Sequence, residues 1–355
     1  MKDSIKTGLF LTGTIIGAGF ASGRELVSFF GKYGWWAMPL CILCGALFIF
    51  GFLLFMRIGK KVQPQKVEDI NAALFGKFSV VADILVLLNL ILSGATMLGG
   101  GAALGKEAFG MNSKIPWLAV ITCIIVFFCV LTGIKGLVKI NVFVMPFCMS
   151  FLLIVSIITI IKNSGGTAAT VGEAMAAGNI ALGLWAAATY VSMNFMQSFG
   201  VIGRAAKQTD DKTIKRGGIL GGAMLSAVMI VMLAAILLAG GAAVNAEMPA
   251  IYLSAQTGKA MALICSAAIW LALIVSLLSS SFTLSEWLDS FIKCRWFSTV
   301  CVLLVCLTVS MLGFSTIIRI FFPIQGAIGI VYIAGAIRYY FKEVKLFSPK
   351  IRPKV

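Results

Sequence analysis

The sequence predicts an all-helical integral membrane protein, and three observations carry that assignment. Hydrophobic residues make up 60% of the chain and charged residues 12%, with no histidine and a mean hydropathy of +1.02. That leaves too little polar surface to coat a soluble globule. The apolar residues fall into ten stretches, each close to the roughly 20 residues that a bilayer-spanning helix needs. The first of them carries Gly13, Gly17, Gly19 and Gly23 and then an Arg24-Glu25 pair about halfway along, a composition that weakens one continuous helix.

The ten spans are placed at 5–32, 35–58, 78–104, 116–133, 138–161, 174–202, 217–242, 258–284, 297–312 and 317–340. The first is expected to be broken at mid-membrane depth. Backbone freed from helical bonding there is tolerated only where protein, ions or cavity water satisfies it, as in the binding sites of secondary transporters. The second holds Cys41 and Cys44, a CxxC pair inside a span of a chain without histidine. The nine cysteines therefore read as small buried apolar groups rather than as a zinc or redox centre. The third carries Ser93, Gly94 and Thr96 at depth, and Asp83 about a turn and a half from its start, where a solvated or paired inner-gate residue is expected. The fifth has Val144-Met145-Pro146-Phe147 at its middle, and its only lysine, Lys139, stands at one end.

The sixth span brings Tyr190, Ser192, Asn194, Gln197 and Ser198 together and is expected to be interrupted like the first. Two broken segments five spans apart predict two halves of opposite orientation, about 5–162 and about 174–341, within one membrane domain covering 1–355. The eighth packs Ser276, Ser279, Ser280, Ser281 and Thr283 into an apolar helix. Between the seventh and eighth, residues 245–252 are polar enough to lie over an entrance, either as a short hairpin or as a plain connector. No soluble domain interrupts the spans.

Charge fixes the expected orientation. With a cytoplasmic N-terminus, 22 of the 29 Lys and Arg residues fall on the inner side, six fall outside, and Arg24 stays in the membrane. Both termini are then cytoplasmic. The net charge of +16 is explained by the anionic inner leaflet, with no nucleic-acid partner. Trp35, Trp36 and Trp117 stand at outer ends and Trp287, Trp296, Tyr339 and Tyr340 at inner ends, as interfacial belts do. Trp185 and Trp270 lie mid-span and read as packing or pocket residues. The basic N-terminus followed by an apolar run is taken as a span rather than a secretory signal, because the run continues through Phe29 and Phe30.

The string Gly17-Ala18-Gly19-Phe20-Ala21-Ser22-Gly23-Arg24-Glu25 resembles the signature of the bacterial YkvI-like membrane proteins of the amino acid/polyamine/organocation superfamily, in which the Arg24 position is commonly glutamine. The resemblance implies the LeuT fold: ten helices in a five-plus-five inverted repeat, discontinuous at helices 1 and 6 around a central substrate, in the bacterial cytoplasmic membrane. A substrate carboxylate would meet free amides at Gly17, Ala18, Gly19 and Phe20. Tyr190, Ser192 and Asn194 would meet its ammonium, with Ser93 and Thr96 on the opposite wall. By the same resemblance a sodium ion would lie between the carbonyls of Gly13 and Ile16, the carbonyl of Ser276 and the hydroxyls of Ser279 and Ser280, an oxygen set suited to a small hard cation. Proton-coupled relatives place a fifth-span lysine there, which this chain lacks. Sodium is thus the expected coupling ion, and no other cofactor is expected.

Arg24 resembles the arginine that gates the outer vestibule in this fold, with Gln325 as the nearest candidate partner on the tenth span. Adjacent helical residues point about 100° apart, so Glu25 should have a different partner and is a candidate proton carrier. The expected function is symport of an amino acid or related small amine with sodium. Two alternatives are a proton-coupled permease and a non-transporting membrane sensor of the same fold. With no histidine, no nucleotide-binding loop and no convincing carboxylate pair, no enzyme reading stands out.

Overall fold

A computed structural model describes residues 2–111, 113, 115–132, 134–163, 180–207 and 209–344. The predicted start of the sixth span at Ala174, the side chains of Ala18, Lys139 and Met145, and the basic residues from Lys345 onward lie outside the described residues.

Every described regular element is helical. The first span is three pieces: α1 (Lys2–Ile15), α2 (Ala18–Ala21) and α3 (Arg24–Phe30). A 3-10 stretch at Gly31–Trp36 leads into α4 (Ala37–Val62), and a short helix, α5 (Val67–Phe75), precedes α6 (Ser79–Phe109). Next come α7 (Trp117–Thr132), α8 (Ile134–Asn163), α9 (Ile180–Ala205) and α10 (Asp211–Leu238). The connection after α10 forms two short helices, α11 (Gly241–Asn245) and α12 (Pro249–Thr257), before α13 (Lys259–Ile292), α14 (Arg295–Ser310), α15 (Phe314–Thr316) and α16 (Phe322–Tyr339). Among the described residues, six helical stretches are long and apolar enough to cross a bilayer, within 24–62, 67–109, 146–163, 211–238, 259–292 and 314–344. Shorter apolar helices stand at Trp117–Leu131 and Arg295–Ser310. The chain is a multi-pass membrane protein.

The break in the first span follows from its glycines. Helix α1 stops after Ile15, α2 lasts one turn, and the chain bends again at Ser22-Gly23. Gly23 has φ +81°, a left-handed conformation that a side chain would strain. The Ser22 hydroxyl accepts the Arg24 amide at 3.3 Å, which starts α3.

The sixth span corrects an expectation: α9 is one unbroken helix from Ile180 to Ala205. Its polar side chains do not open the backbone because they bond back to it. Asn194 donates to the Tyr190 carbonyl at 2.9 Å and Ser198 to the Asn194 carbonyl at 2.8 Å. No glycine or proline stands between Gly183 and Gly200 to weaken the helix.

Helix α9 also packs against α16 at backbone distance. A side chain on Gly326 would run into the Thr189 backbone, and one on Gly329 would meet the Ser192 carbonyl carbon at 2.7 Å. Small residues at a membrane helix interface allow this approach. Trp185 is 54% exposed, which corrects its reading as a packing or pocket residue. Trp270 is a packing residue, donating to the Thr122 hydroxyl at 2.9 Å. Cys41 and Cys44 are free and buried.

Candidate functional site

The short helix α2 is held among α6, α8 and α13, with α3 and α9 beyond it. At the first break, a Cβ on Gly17 would stand 3.6 Å from the Met97 methyl of α6 and 3.7 Å from the Ser276 hydroxyl of α13. Ser276 therefore faces the break, and Ser279 and Ser280 follow it at i+3 and i+4 on the same helix face. The Ser280 hydroxyl bonds back to the carbonyls of Ser276 (3.3 Å) and Leu277 (3.1 Å). Beside the break, Ile16 donates its amide to the Thr12 carbonyl and Ala21 to the Gly17 carbonyl. Among the described residues no backbone amide pairs with the carbonyls of Gly13 or Ile16, which leaves both as available oxygens.

The other predicted substrate residues divide into two groups. Gly19, Phe20 and Tyr190 are brought together around Glu25. The Phe20 amide donates to the Glu25 carboxylate, whose Oε1 lies directly against Gly19. The Tyr190 ring, completely buried, meets Phe29 at 5.2 Å and Phe30 at 5.3 Å between ring centres, both edge-on. By contrast, the Ser192 hydroxyl donates across to the Gly326 carbonyl at 2.6 Å, so it joins α9 to α16 rather than facing a substrate, a correction to its expected role. Thr96 bonds back to the Leu92 carbonyl at 2.7 Å. Ser93 points at Gln197 Oε1, 3.5 Å away, which places Gln197 beside the predicted set, and Asn194 is occupied by its own helix.

Arg24 and Glu25 diverge as adjacent helical residues should. The Arg24 guanidinium donates to the carbonyls of Val244 (3.3 Å) and Ala246 (3.1 Å) around α11. Gln325 is not its partner: both polar atoms of that buried amide lack a hydrogen bond. The α11–α12 pair, two short helices, forms a lid over the bend of the first span. Its Ala250 amide donates to the Ser22 carbonyl at 2.9 Å and its Glu247 amide to Glu107 Oε1 at 3.1 Å. The lid thus ties the bend of the first span to the C-terminal end of α6. The sequence signal for it was Pro249, a residue favoured at the first turn of a helix.

If the lid closes the outer path, Arg24→Ala removes two of its bonds. A cysteine placed at Phe20, in a background without native cysteines, is then expected to be labelled from outside about tenfold faster, the effect of about 1.4 kcal/mol. An unchanged rate in a normally folded variant would make Arg24 a packing residue.

Near the start of α6, Asp83 accepts from the Asn71 amide, and the Tyr332 hydroxyl donates to Asn71 Oδ1 at 2.6 Å. This joins α5, α6 and α16 through one polar chain. Tyr332→Phe leaves the buried Asn71 oxygen unpaired, and the expected cost is about 1–3 kcal/mol in thermal unfolding.

No known protein-family profile matches the chain. Two proteins of Bacillus subtilis (strain 168) are similar. The uncharacterized membrane protein YkvI is 30% identical over 228 residues, 61% of each chain, and the uncharacterized protein YyaD is 24% identical over 95% of this chain and 97% of its own. The chain thus spans about three fifths of the length of YkvI in that match. Among solved structures, Mhp1, a nucleobase-cation-symport-1 family transporter seen closed with bromovinylhydantoin bound, matches with a TM-score of 0.64 at 15% identity, over 96% of this chain and 77% of its own. MhsT in complex with L-phenylalanine matches with 0.64 at 15%, over 94% and 91%. A Na+-coupled sialic acid symporter in a substrate-bound outward-open state matches with 0.59 at 14%, over 94% and 78%. These are transporters, not enzymes, and at such identities they speak for the fold. The chain has the LeuT fold of these transporters and is a relative of the YkvI membrane protein.

Proposed function

We propose that the protein is a secondary active transporter that carries an amino acid or related small amine together with sodium. One observation carries this reading: the first span is broken inside the bundle, and the break faces both a buried carboxylate, Glu25, and the serine face of α13. Discontinuous helices at mid-membrane depth are where transporters bind their solutes. Sodium is bound by the carbonyls of Gly13, Ile16 and Ser276 and the hydroxyls of Ser279 and Ser280, and the free carbonyls at the break fit that neutral oxygen set. The solute lies against Gly17, Ala18, Gly19, Phe20 and Tyr190, with Ser93, Thr96 and Asn194 forming the surrounding wall. Ten spans in a five-plus-five inverted repeat make up the single domain. It stands in a bacterial cytoplasmic membrane with both termini inside, and the basic loops rest on the anionic leaflet.

A second reading, proton coupling through Glu25, is favoured by the absence of any basic group among the charges acting on that carboxyl. Ligand-stabilisation scans of the purified protein with amino acids and amines, with and without sodium, test the proposal. Sodium is expected to sharpen the shift produced by the right solute, and a solute shift indifferent to sodium would favour the proton.

A further inference from the structure

We infer that the solute is an organic amine without a carboxylate, for which Glu25 is the counter-charge. This rests on the transporter reading above and narrows its substrate class. In an amino-acid site at the broken first span, the amides near Gly19 and Phe20 would receive the substrate's carboxylate. Here that place is taken by the chain itself: the bend at Ser22-Gly23 folds α3 back so that the Glu25 carboxylate accepts the Phe20 amide and rests on Gly19. A second carboxylate brought to the same amide would meet a like charge in a desolvated setting.

What is left unsatisfied describes the missing partner. Glu25 is 4% exposed, and its Oε2 has no hydrogen bond. The Tyr190 hydroxyl stands within electrostatic reach of Glu25, with the Asn194 side chain as its polar neighbour. Arg24 is turned to the lid, and among the described residues no lysine or arginine is among the groups acting on Glu25. A carboxylate buried without a cation is costly, so the site calls for a positive charge from outside the chain. An ammonium has three donors and no acceptor, which suits the orphan carboxylate oxygen with a hydroxyl nearby. Phe29, one helical turn after Glu25 on α3, and Phe30 meet the Tyr190 ring edge-on, so the surroundings of the carboxylate are aromatic and dry.

Amine and parent amino acid pairs that differ only by the carboxylate give the test: phenethylamine with L-phenylalanine, isoamylamine with L-leucine, and putrescine with L-ornithine. Thermal-shift titrations of the full-length purified protein are expected to show stabilisation by at least one amine and none by its parent. Glu25→Gln keeps an acceptor for the Phe20 amide and removes the charge, so it should fold normally and lose about a hundredfold in amine affinity. Glu25→Ala, which frees the amide, should shift preference toward the parent amino acid. Wild-type protein that binds parents in preference to amines, or that responds to neither member of any pair, would overturn the inference, as would unchanged amine affinity in folded Glu25→Gln. Uptake of a parent amino acid by proteoliposomes would keep the transporter reading and discard this one. Amine binding that no ion gradient converts into uptake would do the reverse.

Discussion

Valine in place of Gly326 is expected to prevent stable assembly of the protein. The position faces the Thr189 backbone so closely that any added carbon overlaps main-chain atoms, and α9 and α16 are also joined there by the Ser192 hydroxyl on the Gly326 carbonyl. Neither backbone can give without pulling the two helices apart. Overpacking a well-packed contact costs about 1–3 kcal/mol where side chains can move, and the upper end or more is expected where only backbone is available. Against the modest stability of most folds, that is enough to remove much of the folded population. Gly241→Ala is the control, since nothing lies within 4 Å of its added carbon. Detergent-solubilised Gly326→Val should unfold at a markedly lower temperature or elute as aggregate, while Gly241→Ala should match the parent. Equal stability of the two variants would mean that α9 and α16 are not in this close contact.

The second large effect is expected at the serine face of α13. Replacing Ser279 and Ser280 together by alanine removes two proposed sodium ligands without adding bulk or charge. The carbonyls of Gly13, Ile16 and Ser276 alone are too few for a hard cation that prefers a full oxygen shell. Because the solute and ion sites are coupled, the loss is reciprocal: sodium should no longer raise solute affinity, while weak sodium-independent binding persists. A coupling of about 1–3 kcal/mol corresponds to roughly 5–150-fold in affinity. Ser276→Ala keeps the carbonyl and should do less, although its hydroxyl faces Gly17. The Ser280 hydroxyl lies on its own helix in this structure and would have to turn to reach an ion. Titrations with and without sodium check the result. Intact sodium enhancement in the double variant would place the ion elsewhere.

The first span was legible in the sequence because glycines act on the backbone directly, and the bend at Gly23 uses a conformation that only glycine adopts freely. The sixth span misled for the opposite reason. Serines and asparagines read alike whether they line a site or bond to their own helix, and Ser192, Asn194 and Ser198 take backbone carbonyls in a helix that no glycine or proline interrupts. The different directions of Arg24 and Glu25 followed from helical geometry, but their destinations did not. Arg24 meets carbonyls more than two hundred residues away on the lid, and Glu25 reaches Phe20 only because the chain folds back between them. Such contacts depend on tertiary placement, which local pattern does not encode.

The central claim is that the broken first span and the serine face of α13 couple a solute to an ion gradient. Uptake into proteoliposomes, with a sodium gradient imposed in one set and a proton gradient in another, tests it most directly, using the solute that best stabilises the protein. Concentrative uptake driven by sodium, abolished when the gradient is collapsed and lost in the Ser279→Ala, Ser280→Ala double variant, is the expected result. Uptake that ignores sodium, follows the proton gradient and persists in the Ser279→Ala, Ser280→Ala double variant would contradict it.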